Sequence, residues 1–187
     1  MTMPPRLRKF ALAAHLTASV GWLGAVAAYL ILDLSVATSE DPQLVRAAWI
    51  AMGQVTAAAI VPLAVAALAT GLVISLGTKW GLFRHWWVLF RHWWVLISFL
   101  LTVVALLVLL SEAGLIGRMA GIAADPTTSG DALLALPSTL PHSVGGLIML
   151  LVIQTLNVYK PQSLTPYGWR KQQEERERRE PRPVVAR

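Results

Sequence analysis

Four histidines are the side chains of this sequence with the widest chemical repertoire: His15, His85, His92 and His142. An imidazole binds metal ions and exchanges a proton near neutral pH. It also serves as a plain hydrogen-bonding group between helices. Inside a membrane span a polar group is costly, so a histidine there is a candidate functional residue. The depth of each histidine in the membrane therefore decides which of them could act together.

His15 and His142 are predicted to lie near opposite faces of the membrane. His15 is about five residues inside an apolar run over residues 10–32, and His142 is in the first turn of a run over residues 139–159. At about 1.5 Å per residue in a hydrocarbon core about 30 Å thick, the two imidazoles are roughly 18 Å apart along the membrane normal. Metal–nitrogen bonds are only about 2 Å long. The two histidines therefore cannot hold one ion.

His92 and His85 are predicted to share a membrane face with His15. For a haem b or copper cofactor, the predicted ligand pair is therefore His15 with His92, and His85 is a further candidate. His142 would serve a separate metal site or make a structural hydrogen bond.

Trp22 and Tyr29 follow His15 at successive spacings of seven residues. Seven residues are close to two helical turns, so the three side chains form one aromatic and polar stripe. Such a stripe could contact a flat cofactor, or it could fill the interior of a helix bundle with its larger side chains.

Four long apolar runs must position these residues. The chain has 187 residues, 56% of them hydrophobic, and a mean hydropathy of +0.58. The runs cover residues 10–32, 54–76, 93–110 and 139–159, each close to the length that crosses a bilayer. The prediction is an all-α polytopic membrane protein, with a four-helix transmembrane domain over residues 1–160 and a polar cytoplasmic tail over residues 161–187. Asp41 and Pro42 predict that the second helix begins before its apolar run.

The basic residues are distributed very unevenly along the chain. The N-terminus, residues 77–92 and the segment from Lys160 onward hold 14 of the 16 lysines and arginines, and the other two connections hold only Arg46 and Arg118. The positive-inside rule then predicts a multi-pass cell-membrane protein with both termini and the segment 77–92 in the cytoplasm. The net charge of +6 follows from this arrangement, and a nucleic-acid partner is excluded because the basic residues form small groups beside the spans.

The sequence lacks most signatures of catalysis and transport. It contains no cysteine, no Gly-rich phosphate loop and no nucleophile elbow. The predicted spans carry no acidic, lysine or arginine side chain at mid-depth, where an ion-coupled transporter needs one. Small residues recur on one face of the first run, at Ala14, Ala18, Gly21, Ala25 and Ala28. These features favour a non-catalytic accessory or assembly subunit, with the bilayer and other membrane subunits or a second copy as partners. A histidine-ligated haem b or copper protein is the main alternative, and an enzyme acting on a lipid-like or tetrapyrrole substrate is a third.

The segment LFRHWWV occurs twice in succession, at residues 82–88 and 89–95. If it is helical, its arginines, histidines and tryptophans fall on nearly one face. This predicts an interfacial segment leading into the third span, or equally a duplication without a function of its own.

Several motifs together resemble a known group of proteins. They are HLTASVGWLGA at residues 15–25, WGLFRHWWVL at 80–89, HSVGG at 142–146, and YKP with TPYGWRK near the C-terminus. They are similar to uncharacterised four-span bacterial integral membrane proteins and, more distantly, to CopD-type copper-resistance and HemJ-type membrane proteins. The distant resemblance implies a role of His15 in metal or haem handling.

Overall fold

A computed structural model of the protein describes residues 3–76, 93–158 and 173–174, and the regular elements in these ranges are all helical. The predicted residues His85 and His92, the first LFRHWWV copy and most of the polar tail lie outside the described residues. We number the α-helices in chain order: α1 (Pro5–Thr38), α2 (Pro42–Val55), α3 (Val61–Leu76), α4 (Trp93–Ala124), α5 (Gly130–Leu134) and α6 (Leu140–Val158).

Four helical rods are long and apolar enough to cross a membrane, which confirms the predicted class of all-α, four-span protein. They are α1, the continuous rod Pro42–Ser75 that contains α2 and α3, the segment Ile97–Ala124 of α4, and α6. Short connections at residues 39–41 and 125–139 join successive rods at one end of the bundle. We call this the Asp33 end, and the opposite end the His15 end.

Two helices continue well beyond the apolar runs that predict them. Helix α1 extends past residue 32 to Thr38, and α4 extends past residue 110 to Ala124. Asp33 and Glu112 fall just outside the predicted apolar runs, yet both lie within helices. A hydropathy pattern identifies only the apolar, membrane-spanning part of a helix. Polar turns that extend the same helix beyond the span are not detected.

The second rod begins where the sequence predicts. Asp41 accepts a hydrogen bond from the backbone N–H of Gln43 at 2.9 Å, and Pro42 is the first helical residue. In mid-rod the α-helix widens into a π-helical turn over Thr56–Ile60, closed by a bond from the Val61 N–H to the Thr56 carbonyl. Pro62, which lacks an N–H, lies two residues after this turn, so the wider turn occurs where a proline disrupts the regular α-helical bonds.

The largest fully buried side chains of the described residues lie at the Asp33 end. Val45, Trp49, Met52 and Leu133 are each at most 1% exposed. They join α2 to the short helix α5, which packs on α2. The Asp33 end is therefore a packed apolar core and not a pair of loose loops.

Arg46 ties α2 to the end of α4. Its guanidinium donates to the backbone carbonyls of Ala123 and Asp125, each at 2.7 Å, and of Thr128 at 2.8 Å. Hydrogen bonds to Asp125 from the Thr127 side chain and backbone, with a smaller contribution from the charge of Arg46, lower the pKa of the Asp125 carboxyl. One arginine thus satisfies carbonyls that the end of a helix leaves without partners.

At Gly53, α2 and α4 approach each other closely. A Cβ atom at this position would lie 2.5 Å from the Cβ of Ala120. We predict that Gly53→Ala lowers the free energy of unfolding in detergent by about 1–3 kcal/mol, because the clash forces the helices apart. Ala120→Gly in the same chain should restore stability. Gly117→Ala is the matched control, since nothing lies within 4 Å of its added Cβ. Equal melting of the Gly53 and Gly117 variants would contradict this contact.

Candidate functional site

Asp33 is a fully buried carboxylate at the junction of α1 and α6. Its Oδ1 accepts hydrogen bonds from the Ser138 hydroxyl and the Thr139 N–H, both at 3.1 Å. Its Oδ2 accepts from the hydroxyls of Thr139 at 2.9 Å and Ser143 at 2.8 Å. Since Thr139 uses its one hydroxyl proton on Asp33, the Tyr29 hydroxyl is the donor in its 2.7 Å bond to Thr139 Oγ1.

The hydrogen bonds around Asp33 cap the N-terminus of α6 with a side chain that belongs to α1. Thr139 immediately precedes α6, and a negative charge is favourable at this end of a helix because the unpaired N–H groups and the macrodipole point toward it. The four hydrogen bonds compensate for removing the carboxylate from water. Asp33 therefore fixes α6 against α1, and it also places Tyr29 and Ser143 beside the cavity between these helices.

His15 lies at the other end of the bundle and joins α1 to α3. Its Nδ1 is 3.0 Å from the Ala67 carbonyl and 3.2 Å from the Thr70 hydroxyl. A carbonyl only accepts, so Nδ1 carries a proton, and in the neutral imidazole Nε2 then holds the lone pair. This is the arrangement in which a backbone group orients a metal-binding histidine, and it is equally a complete structural hydrogen bond.

A cavity of about 150 Å³ lies beside His15, with Trp22, Gly71, Phe99 and Gln154 among its lining residues. A cavity of about this volume holds one benzene molecule. The described residues contain no group of three or more histidine, cysteine or acidic side chains placed to hold a metal ion. His15 is thus the one imidazole at this cavity within the described residues.

A second, larger cavity of about 270 Å³ lies toward the Asp33 end. Glu112 of α4 and His142 of α6 face each other there, with 3.6 Å between Glu112 Oε1 and His142 Nε2. Glu112 Oε2 is buried and has no hydrogen-bond partner among the described residues. Trp22 and Leu150 line both cavities, so these two side chains form the partition between them.

The predicted site residues are therefore distributed along the bundle. His15 lines the first cavity, Trp22 separates the two, and Tyr29 and His142 line the second. Trp22 and Tyr29 are each only 5% exposed, so the stripe predicted on α1 does face the bundle interior. The predicted pairing of His15 with His92 or His85 lies outside the described residues.

Sequence reasoning missed Asp33 and Glu112 as site residues because each ends or follows an apolar run, where a charged residue normally marks a boundary. A usable signal was present in the residues SxxxxS at 138–143, which place hydroxyls around the start of α6.

A scan against protein-family models finds no match, and no curated protein or solved structure matches the chain.

We predict that Asp33→Asn lowers the free energy of unfolding by about 2 kcal/mol, because the amide loses the charge and one acceptor of a buried, four-bonded group. Asp41→Asn is the matched control, since asparagine caps a helix about as well as aspartate. It should change stability by less than about 0.5 kcal/mol. Chemical unfolding of both variants in the same detergent measures the difference. A loss at Asp33 no larger than that at Asp41 would show that the network does not stabilise the bundle.

Proposed function

We propose that this protein is a non-catalytic accessory or assembly subunit of a larger complex in the bacterial inner membrane. The observation that carries the proposal is an exposed stripe along α4. Its members recur at alternating steps of four and three residues, and all are exposed: Leu100, Val104, Leu107, Ser111, Gly114, Arg118 and Gly121. This spacing keeps one face of a helix against a neighbouring helix over six turns.

The stripe changes character along its length. Its first half is made of large apolar side chains, and its second half contains Gly114 and Gly121, where a helix backbone can approach closely. No neighbour in the described chain lies within 4 Å of a Cβ added at Gly121. Lipid chains can cover leucine and valine, but small residues beside a lone arginine suit a protein partner better.

The burial of the four spans is consistent with this proposal. In the most apolar 18-residue window of each rod, 22% of α1 is buried, 17% of the Pro42–Ser75 rod and 17% of α6, but only 6% of α4. Within this most apolar window, α4 therefore has the smallest share of buried residues of the four rods. A helix of this kind is available to a second subunit or to a second copy of the chain.

Site-specific photo-crosslinking in intact membranes tests the proposal. Val104 on the stripe and Val65 on α3 are both 48% exposed, so a photoreactive residue at each should meet lipid equally well. We expect one discrete protein adduct from Val104 and none from Val65. A mass increase of 20.3 kDa identifies a second copy, and any other discrete mass identifies a different subunit. Adducts of equal yield at both positions, or none at either, would argue against a subunit role.

The second candidate function is copper handling at His15. It is supported by the Nδ1 hydrogen bond to Ala67, which leaves Nε2 as the nitrogen with a lone pair. Metal analysis and an absorption spectrum of the same purified protein distinguish the two functions. Stoichiometric copper that is lost in His15→Ala favours copper handling, and a colourless, metal-free protein that retains its crosslinked partner favours the accessory subunit.

We also propose that both termini, and thus the His15 end, face the cytoplasm. The support is the excess of lysine and arginine in residues 77–92 and at both termini. The chain has no cysteine, so single cysteines introduced at Ser39 and Thr165 report their side of the membrane without background. A membrane-impermeant maleimide applied to intact spheroplasts should label Ser39→Cys and leave Thr165→Cys unlabelled until lysis. Labelling of Thr165→Cys but not of Ser39→Cys in intact spheroplasts would show that both termini lie outside the cytoplasm.

A further inference from the structure

The 270 Å³ cavity at the Asp33 end has the dimensions of a site for one substituted ring. An apolar cavity of about 150 Å³ holds benzene, and this one is nearly twice as large. Its walls come from α1, the π-helical turn, α4 and α6, and they are mainly apolar, with Val26, Ile60, Ile116 and Met149 among them. A flat hydrophobic ring would be removed from water on all of these sides.

Two polar atoms at this cavity have no hydrogen-bond partner among the described residues. Thr56 is 3% exposed, and its Oγ1 is buried without a partner. Glu112 Oε2 is likewise buried and has no hydrogen-bond partner among the described residues. Buried polar atoms are nearly always paired, because leaving one unpaired costs about 1–3 kcal/mol. The cavity thus combines an apolar volume with an unused carboxylate oxygen and an unused hydroxyl.

The cavity reaches the protein surface between α4 and α6. Val108 on α4 and Gly145 on α6 line it and are exposed. Cβ atoms added at Gly145 or Gly146 would meet nothing within 4 Å. The two adjacent glycines therefore leave a gap in the wall, through which a ring could enter from the membrane and through which an alkyl tail could remain in lipid.

The polar atoms of Glu112 and Thr56 determine which kind of ligand head group this cavity can bind. A carboxylate oxygen needs a donor, and the one cationic group facing Glu112 in the described chain is the imidazole of His142, when protonated, at 3.6 Å from the other oxygen. An ammonium ion could also donate to Glu112, but a charged group loses far more hydration than a neutral hydroxyl on entering the apolar volume, and one carboxylate oxygen offsets only part of that loss. A neutral hydroxyl on an aromatic ring costs far less to desolvate and can donate to Glu112.

We propose that this cavity binds a lipophilic hydroquinone or phenol, with the ring between Trp22 and Met149, a hydroxyl donating to Glu112, and the tail leaving between α4 and α6. Thr56 supplies a further hydrogen bond within reach of a ring substituent. This site is separate from the α4 stripe and does not depend on the proposed subunit role.

Titration calorimetry of the purified full-length protein in detergent, under reducing and anaerobic conditions, tests the site. The probe is decylhydroquinone, and its dimethyl ether is the matched ligand that keeps the ring and tail and lacks the donors. We expect the hydroquinone to bind at least tenfold more tightly. Equal affinity for the two ligands would overturn the proposal, and this comparison needs no variant protein.

Two variants test the contacts separately. Glu112→Met removes the acceptor at similar length, so the tenfold preference for the hydroquinone should fall toward one while the affinity for the ether is kept. Gly146→Leu fills the gap and should weaken both ligands at least tenfold. Gly24→Leu is the control for adding leucine at an open glycine, since nothing lies within 4 Å of its Cβ, and it should bind like the wild type. An unchanged preference in Glu112→Met, or unchanged binding in Gly146→Leu, would overturn the site.

Discussion

The buried carboxylate of Asp33 is the interaction on which the arrangement of the bundle depends. It lies on α1, yet all of its hydrogen-bond donors belong to residues 138–143 at the start of α6. An ionised group removed from water is tolerated only when its partners are complete. The carboxylate therefore fixes both the position of the last helix along the first and its rotation about its own axis. Since Tyr29 and Thr139 extend the same network, one wall of the larger cavity is set with it.

The two ends of the bundle are held by different means. At the Asp33 end, polar networks around Asp33 and Arg46 flank an apolar core in which Trp49 and Met52 are fully buried. At the His15 end, fewer hydrogen bonds join different helices within the described residues, and one imidazole links α1 to α3 through Ala67. One cavity lies beside His15 and the other toward the Asp33 end, and Trp22 and Leu150 lie between them. Side chains are closely packed in the core around Trp49 and Met52, and the two cavities remain where the side chains of neighbouring helices do not fill the space between them.

Glycines have opposite structural roles at different positions in this fold: some allow two helices to touch, and others leave open space between helices. Gly53 allows α2 and α4 to touch, because any Cβ there would collide with Ala120. Gly145 and Gly146 have empty space beside them and open the larger cavity. Helices in lipid associate where small residues let backbones approach, but a glycine that no helix approaches leaves a gap in the wall. Only its surroundings distinguish a packing glycine from one that borders an opening.

The sequence by itself determined the helical class, the four spans, the start of the second rod at Asp41 and Pro42, and the inward-facing stripe of Trp22 and Tyr29. These follow from hydropathy, capping and helical period, which are local properties. The tertiary structure alone decided that Asp33 and Glu112 lie on helices within the bundle, and that cavities lie beside His15 and His142, whose separation along the membrane normal hydropathy already predicted. Asp33 meets its partners more than 100 residues along the chain, and a charge beside an apolar run looks the same in sequence whether it faces solvent or a buried hydroxyl. Whether such a charge faces solvent or a buried hydroxyl depends on how far one helix is shifted along its neighbour, and no local sequence pattern encodes that shift.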